Sequence, residues 1–191
     1  MKKAGIGSHT RPNRGEHVIY LTPPEVLYSL GKFDLDPCAA PSPRPWPTAS
    51  THIELPDDGL LLPWHGRVWL NPPYDESLGR WLERMAEHGC GIALIFARTE
   101  TTEWQRLVWP AAKGVLFPSG RFYFRLPDGS QMPGNAGGPS ALVAYSADDA
   151  HVLKHSSIAG AFVKVERCRV PKTVLNNAGV SVENKGLDFG V

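Results

Sequence analysis

Four consecutive residues, Asn71-Pro72-Pro73-Tyr74, have the types and spacing best suited to chemistry in this sequence. Two prolines in a row remove two backbone donors and fix φ, and Pro73 also holds Pro72 away from helical geometry, so carbonyl oxygens face outward without partners. Bare acceptors invite a donor. An exocyclic amine on a planar ring brings two N–H groups, one for the Asn71 side-chain oxygen and one for the Pro72 carbonyl, while Tyr74 offers a face for the ring to stack on. Accepting both hydrogens draws the nitrogen toward tetrahedral geometry and frees its lone pair to attack an electrophile. The same residues also read as a turn opening a helix, so the neighbouring segments decide between the two.

Those neighbours form a frame. Val68-Trp69-Leu70 reads as a buried strand leading into the diproline loop. After the loop, Leu78, Trp81, Leu82, Met85 and Ala86 share one helical face, which Gly89 terminates. Upstream, Thr22 with Glu25 has capping-box spacing, Pro23 suits the first helical position, and Gly31 closes the helix after Leu30. A helix N-terminus of this kind suits a carboxylate. Phe33-Asp34-Leu35-Asp36 then reads as a strand broken by Pro37 and followed by Cys38-Ala39-Ala40. Asp36, at the carboxyl end of that strand, either pairs with an ammonium group or holds an Asx turn.

Pro41 to Pro47 is proline-rich and extended, a crossover loop. Thr51 to Leu55 reads as a second strand, with a turn at Asp57-Asp58-Gly59-Leu60. Glu54, Asp57 and Asp58 are all candidates for binding a ribose hydroxyl or an adenosine amine. Ile92 to Ala97 is a buried strand, followed by polar Arg98-Thr99-Glu100-Thr101-Thr102. Thr102 and Gln105 form a second capping-box pattern ahead of Trp104, Leu107 and Val108. Arg98 reads either as a phosphate contact or as a surface ion pair. Lys113 to Phe117 is a further strand. Arg121 to Arg125 alternates basic and aromatic residues before a hairpin turn at Pro127-Asp128-Gly129, a ribbon that could turn Arg121 and Arg125 toward a nucleic-acid backbone. Ser140 to Tyr145 returns as a strand, and Ala159 to Val165 adds an edge strand.

Length and composition bound the class. A chain of 191 residues supports one domain, and 42% hydrophobic with 20% charged residues is ordinary for a soluble globular protein. The expected division is a flexible arm over 1–16, a domain over 17–170 and a disordered tail over 171–191. Lys2, Lys3, Arg11 and Arg14 in the arm read as a solvated terminus more readily than as phosphate contacts. A net charge of +1 is silent about partners. Cys38, Cys90 and Cys168 form no CxxC and leave one cysteine unpaired, which points to a reducing cytoplasm. Neither a membrane span nor a signal peptide is visible, and the histidines lack metal-ligand spacing, so no metal is expected.

Taken in order, Thr22-Pro23-Pro24-Glu25, Phe33-Asp34-Leu35-Asp36-Pro37-Cys38-Ala39, Asp58-Gly59-Leu60 and Trp64-His65-Gly66-Arg67-Val68-Trp69-Leu70-Asn71-Pro72-Pro73-Tyr74 resemble the compact DNA N6-adenine methyltransferases of bacteriophages and prophages. The resemblance runs from about Tyr20 to Tyr145, and the ordered combination is far more specific than any single motif. It implies a compact, Rossmann-like class I α/β methyltransferase fold, with a mostly parallel sheet ending in an antiparallel hairpin. It also implies S-adenosylmethionine as methyl donor, and as substrate adenine in DNA, flipped from a duplex or already single-stranded, in a bacterial host cytoplasm. Asn71, Pro72, Pro73 and Tyr74 would be the catalytic loop. Thr22, Pro23, Asp36, Pro37, Cys38 and Asp58 would bind the cofactor, and Arg98, Arg121 and Arg125 the substrate. One departure is plain: Ala39-Ala40-Pro41 stands where the family has Gly-x-Gly. Cytosine N4, RNA adenine and protein glutamine are alternative acceptors for such a loop. A catalytically inactive nucleic-acid-binding remnant is the alternative outside enzymes.

Overall fold

The computed structural model describes residues 19–166, together with the backbone of Thr173–Leu175 and Ser181–Glu183. The arm at 1–16, Cys168 and most of the 171–191 tail lie outside the described residues. Seven strands build the main sheet: β1 (Leu35–Asp36), β2 (Thr51–His52), β3 (Val68–Leu70), β4 (Gly91–Phe96), β5 (Gly114–Pro118), β6 (Ser140–Ala144) and β7 (Gly160–Lys164). Their spatial order is β2-β1-β3-β4-β6-β5-β7. Strands β8 (Thr173–Leu175) and β9 (Ser181–Glu183) pair as a separate antiparallel ribbon within the span expected to be a tail.

Successive strand residues point to opposite faces, and that alternation divides the core in two. Trp69, Ile92, Leu94, Leu116 and Leu142 share one face with helices α1 (Pro24–Leu30) and α3 (Ala147–His155). Val68, Leu70, Ala93, Ile95, Val115 and Val143 share the other with helix α2 (Leu78–His88) and a π-helical turn, Trp104–Val108. Helices therefore cover both faces of the central strands. Burying each large aliphatic side chain there contributes about 1.5–3 kcal/mol. Helix α2 presents Trp81, Leu82 and Met85 inward and ends at Gly89, whose φ of 70° permits the left-handed cap that its N–H closes onto the Met85 carbonyl.

The expected mostly parallel, Rossmann-like methyltransferase sheet is corrected by the pairing. Strands β1–β2, β1–β3 and β3–β4 run parallel. Strands β4–β6, β5–β6 and β5–β7 run antiparallel, and these include the longest registers. The sheet is mixed. Two physical causes are visible. The parallel half rests on strands of two or three residues, and β6 returns between β4 and β5 while β7 adds a further antiparallel edge. Nor does Arg121–Arg125 form the expected ribbon. No strand forms between β5 and β6, but the expected turn is present: the Gly129 N–H bonds the Leu126 carbonyl, and Leu126–Ser130 and Phe124–Met132 hydrogen bonds flank an antiparallel bridge of Arg125 to Gln131.

Both expected capping boxes differ from the structure. Helix α1 starts at Pro24 with Pro23 as its cap and no side-chain capping bond. At the second box Thr102 is already helical, ahead of the π-helical turn Trp104–Val108, and the Trp104 N–H is served by the Thr101 hydroxyl. Helix α3, which lacks a strong apolar stripe, carries a true cap: Ser146 Oγ accepts from the Asp149 N–H at 3.0 Å. Buried Asp149 also accepts from Arg67 Nε at 2.6 Å and from the Gly91 N–H at 2.7 Å, tying α3 to the starts of β3 and β4. Among the described residues no helix is long and apolar enough to cross a membrane.

Candidate active site

Strand β3 is completely buried as far as Leu70, and the chain then leaves the sheet. Asn71 is half-buried, Pro72 is buried, Pro73 is exposed, and Tyr74 is 42% exposed. The loop is anchored through its other atoms. The Cys38 thiol donates to the Asn71 main-chain carbonyl at 3.4 Å, and Asn71 Nδ2 donates to Thr22 Oγ1 at 3.3 Å. With Nδ2 committed, Oδ1 is the free end of the amide. Neither Asn71 Oδ1 nor the Pro72 carbonyl accepts a hydrogen bond within the described residues. Half-buried Asn71 keeps Oδ1 free for a donor, whereas Pro72 is itself buried.

Tyr74 is fixed at its tip. Its hydroxyl donates to the Leu94 carbonyl at 3.2 Å, and its ring lies 4.2 Å from that of Phe96 at 30°. Burial of the hydroxyl raises its pKa, so it remains a neutral donor. One ring face is used by Phe96 while the residue as a whole stays open to solvent. Sequence reasoning missed Phe96, although its place at the carboxyl end of a buried strand was legible.

The loop after β1 forms the second wall. Asp36, 4% exposed, accepts from the Cys38 N–H at 3.1 Å and from the Thr48 hydroxyl. Burial is the dominant influence and pushes its pKa up to about 6, against the pull of those hydrogen bonds and of the nearby Arg44 charge. It makes no ion pair within the described residues, because Arg44 pairs instead with Glu54. His52 Nε2 accepts from the Thr48 and Ala49 N–H groups at 3.2 and 3.3 Å, which holds Thr48 over Asp36; burial first, then Arg44, lowers the His52 pKa and favours this neutral acceptor. Burial beside Asp36 raises the Cys38 pKa, so this thiol is a poor nucleophile and serves as a hydrogen-bond strut.

Asp58 caps its own turn, accepting from the Leu60 N–H at 2.8 Å. The adjoining Gly59 sits directly on Pro37: a Cβ there would lie 1.8 Å from the Pro37 carbonyl oxygen. The structure thus gathers Thr22, Asp36, Pro37, Cys38, the Asp58 turn and Asn71 around one end of the sheet. Glu54 is engaged by Arg44, Asp58 uses one carboxylate oxygen in its turn, and Asp57 is exposed.

A hollow of about 250 Å³ opens beside Tyr74, with Phe96, Arg98, Thr101, Glu103 and Trp104 in its wall. Thr22, Asp36 and Asn71 are not part of that wall. Arg98 is exposed, lies 5.4 Å from the Phe96 ring centroid, and makes no ion pair among the described residues. Arg121 is exposed and donates to the Ala136 carbonyl at 3.3 Å. Arg125 pairs with Glu25 at 3.1 Å, so its charge is turned to α1. Among the described residues no group of three or more His, Cys, Asp or Glu side chains is placed to hold a metal ion. No protein-family model, curated protein or solved structure shows a significant match to the chain.

Proposed function

We propose that this protein transfers a methyl group from S-adenosylmethionine to the N6 amine of adenine in DNA. The observation that carries this reading is the pair of unpartnered acceptors, Asn71 Oδ1 and the Pro72 carbonyl, beside the open ring of Tyr74. Two acceptors next to an aromatic face suit an amine conjugated to a flat base better than they suit a hydroxyl or a phosphate.

Asp36 supports the donor. A desolvated carboxylate with hydrogen bonds but no ion pair is relieved by a cation, and the ammonium of a methionine moiety is one. Asp36, Pro37, Cys38 and the Asp58 turn would hold the cofactor, which supplies an electrophilic methyl group when bound. The remaining work belongs to the chain. Tyr74 stacks on the base, Asn71 and Pro72 accept the two amine hydrogens, and the nitrogen lone pair is thereby freed and aimed. The Cys38 strut keeps the diproline corner beside the cofactor loop. Exposed Arg98 and Arg121 offer charge to the phosphates.

The test offers S-adenosylmethionine labelled in its methyl group to DNA, RNA and protein in parallel, then identifies the modified residue. Label in DNA as N6-methyladenine supports the reading. Label in N4-methylcytosine, in RNA or in a glutamine amide reassigns the acceptor. A folded protein that neither binds the cofactor by calorimetry nor transfers label is an inactive remnant.

A further inference from the structure

An asparagine amide has a donor end and an acceptor end, and only one orientation suits an incoming amine. Turned by 180°, Asn71 would aim N–H at N–H, and the acceptor pair would be lost. Asn71 Nδ2 donates to Thr22 Oγ1 at 3.3 Å across 49 positions of sequence. Thr22 is 2% exposed and firmly held: Leu21 exchanges two backbone hydrogen bonds with Arg125, at 2.8 and 2.9 Å, and the Thr22 carbonyl accepts from Trp46 Nε1 at 3.2 Å.

We infer that Thr22 is a positioning residue for Asn71, its hydroxyl holding the amide nitrogen so that Oδ1 faces the substrate. Trp46 extends the arrangement, since it fixes Thr22 from the proline-rich segment and so links that crossover to the diproline loop. The inference rests on the methyl-transfer reading for its catalytic consequence, but the contact itself does not.

The test compares Thr22→Val and Thr22→Ser in the full chain. Valine keeps the shape and removes the acceptor. Expected for Thr22→Val is a kcat about tenfold to a hundredfold lower, in keeping with a misplaced catalytic group, with S-adenosylmethionine affinity by calorimetry within about twofold of wild type. Thr22→Ser, which keeps the hydroxyl, returns kcat to within about threefold. An unchanged kcat in Thr22→Val overturns the inference. So does a loss confined to cofactor affinity, which would make Thr22 a ligand contact only. The side-chain amide resonances of Asn71, recorded by NMR, supply the second arm. They shift in Thr22→Val and stay near their wild-type positions in Thr22→Ser. If wild type transfers no methyl group to any acceptor, the functional reading fails alone, and the NMR comparison still decides the contact: unmoved Asn71 resonances in Thr22→Val overturn it.

Discussion

In the proposed reaction Asn71 would act through one atom, a carbonyl oxygen kept free because the other end of its amide is used. Asn71→Ala therefore lowers methyl transfer by roughly a hundredfold or more, the scale of removing one preorganised transition-state partner. Calorimetry on the same variant should find cofactor affinity nearly unchanged; full activity in it would remove Asn71 from the mechanism. Asp36 makes a prediction in pH. Its folded pKa is raised from 3.8 to about 6, so the native state holds this proton more tightly than the unfolded chain. The stability it contributes is fully present below the unfolded value and is lost as pH rises through the folded one, a change of roughly 3 kcal/mol. Asp36→Asn flattens that slope in urea unfolding between about pH 4 and pH 7. The variant is the more stable one at the upper end, yet it binds S-adenosylmethionine more weakly. A slope as steep as wild type would mean that Asp36 is not the group responsible. At this scale the sequence was informative where chemistry is local: Asn-Pro-Pro-Tyr carries its own geometry. It was misleading at Thr22, whose spacing to Glu25 mimics a capping box while its hydroxyl bonds Asn71 and Glu25 pairs with Arg125. Nothing nearby in sequence announces either partner.

The elements hold the site through a few dense contacts. Asp149 gathers the Ser146 cap, the Gly91 N–H and the Arg67 guanidinium, whose Nη1 also donates to the Leu30 and Lys32 carbonyls. Asp149→Ala leaves Arg67 without its counter-charge and should cost about 3 kcal/mol in chemical denaturation. A loss below about 1 kcal/mol would place the bridge among weak surface pairs. Gly59→Ala pushes a Cβ into the Pro37 carbonyl, so the loop carrying Asp36 and Cys38 must shift. Its expected signature is weaker cofactor binding together with a lower melting temperature, and an unchanged affinity would detach the Asp58 turn from the site. Helices α1 and α2 and the seven strands of the main sheet were legible from apolar spacing or apolar runs, β1 and β2 as longer stretches than the two residues that pair in each. Helix α3 was not, since only Asp149, Ala150 and Leu153 are buried along it. Its Ser146–Asp149 spacing was the available signal.

Across the whole molecule, a mixed sheet with helices on both faces places the ends of β1 and β3 together, with the hollow beside Tyr74 near the end of β4. Strand order was the least legible feature. A buried run such as Ser140–Ala144 records that it is covered on both faces, not which strands flank it, and the two residues that pair in each of β1 and β2 fix neither neighbour nor direction. The expectation of a mostly parallel sheet failed there. The functional proposal stands on the local corner rather than on the sheet. Its most direct test is nucleoside mass spectrometry of unmethylated DNA incubated with S-adenosylmethionine and either wild type or Asn71→Ala. N6-methyladenine is expected with wild type, and little or none with the variant. Equal N6-methyladenine from both proteins, or none from a folded wild type, would contradict the proposal.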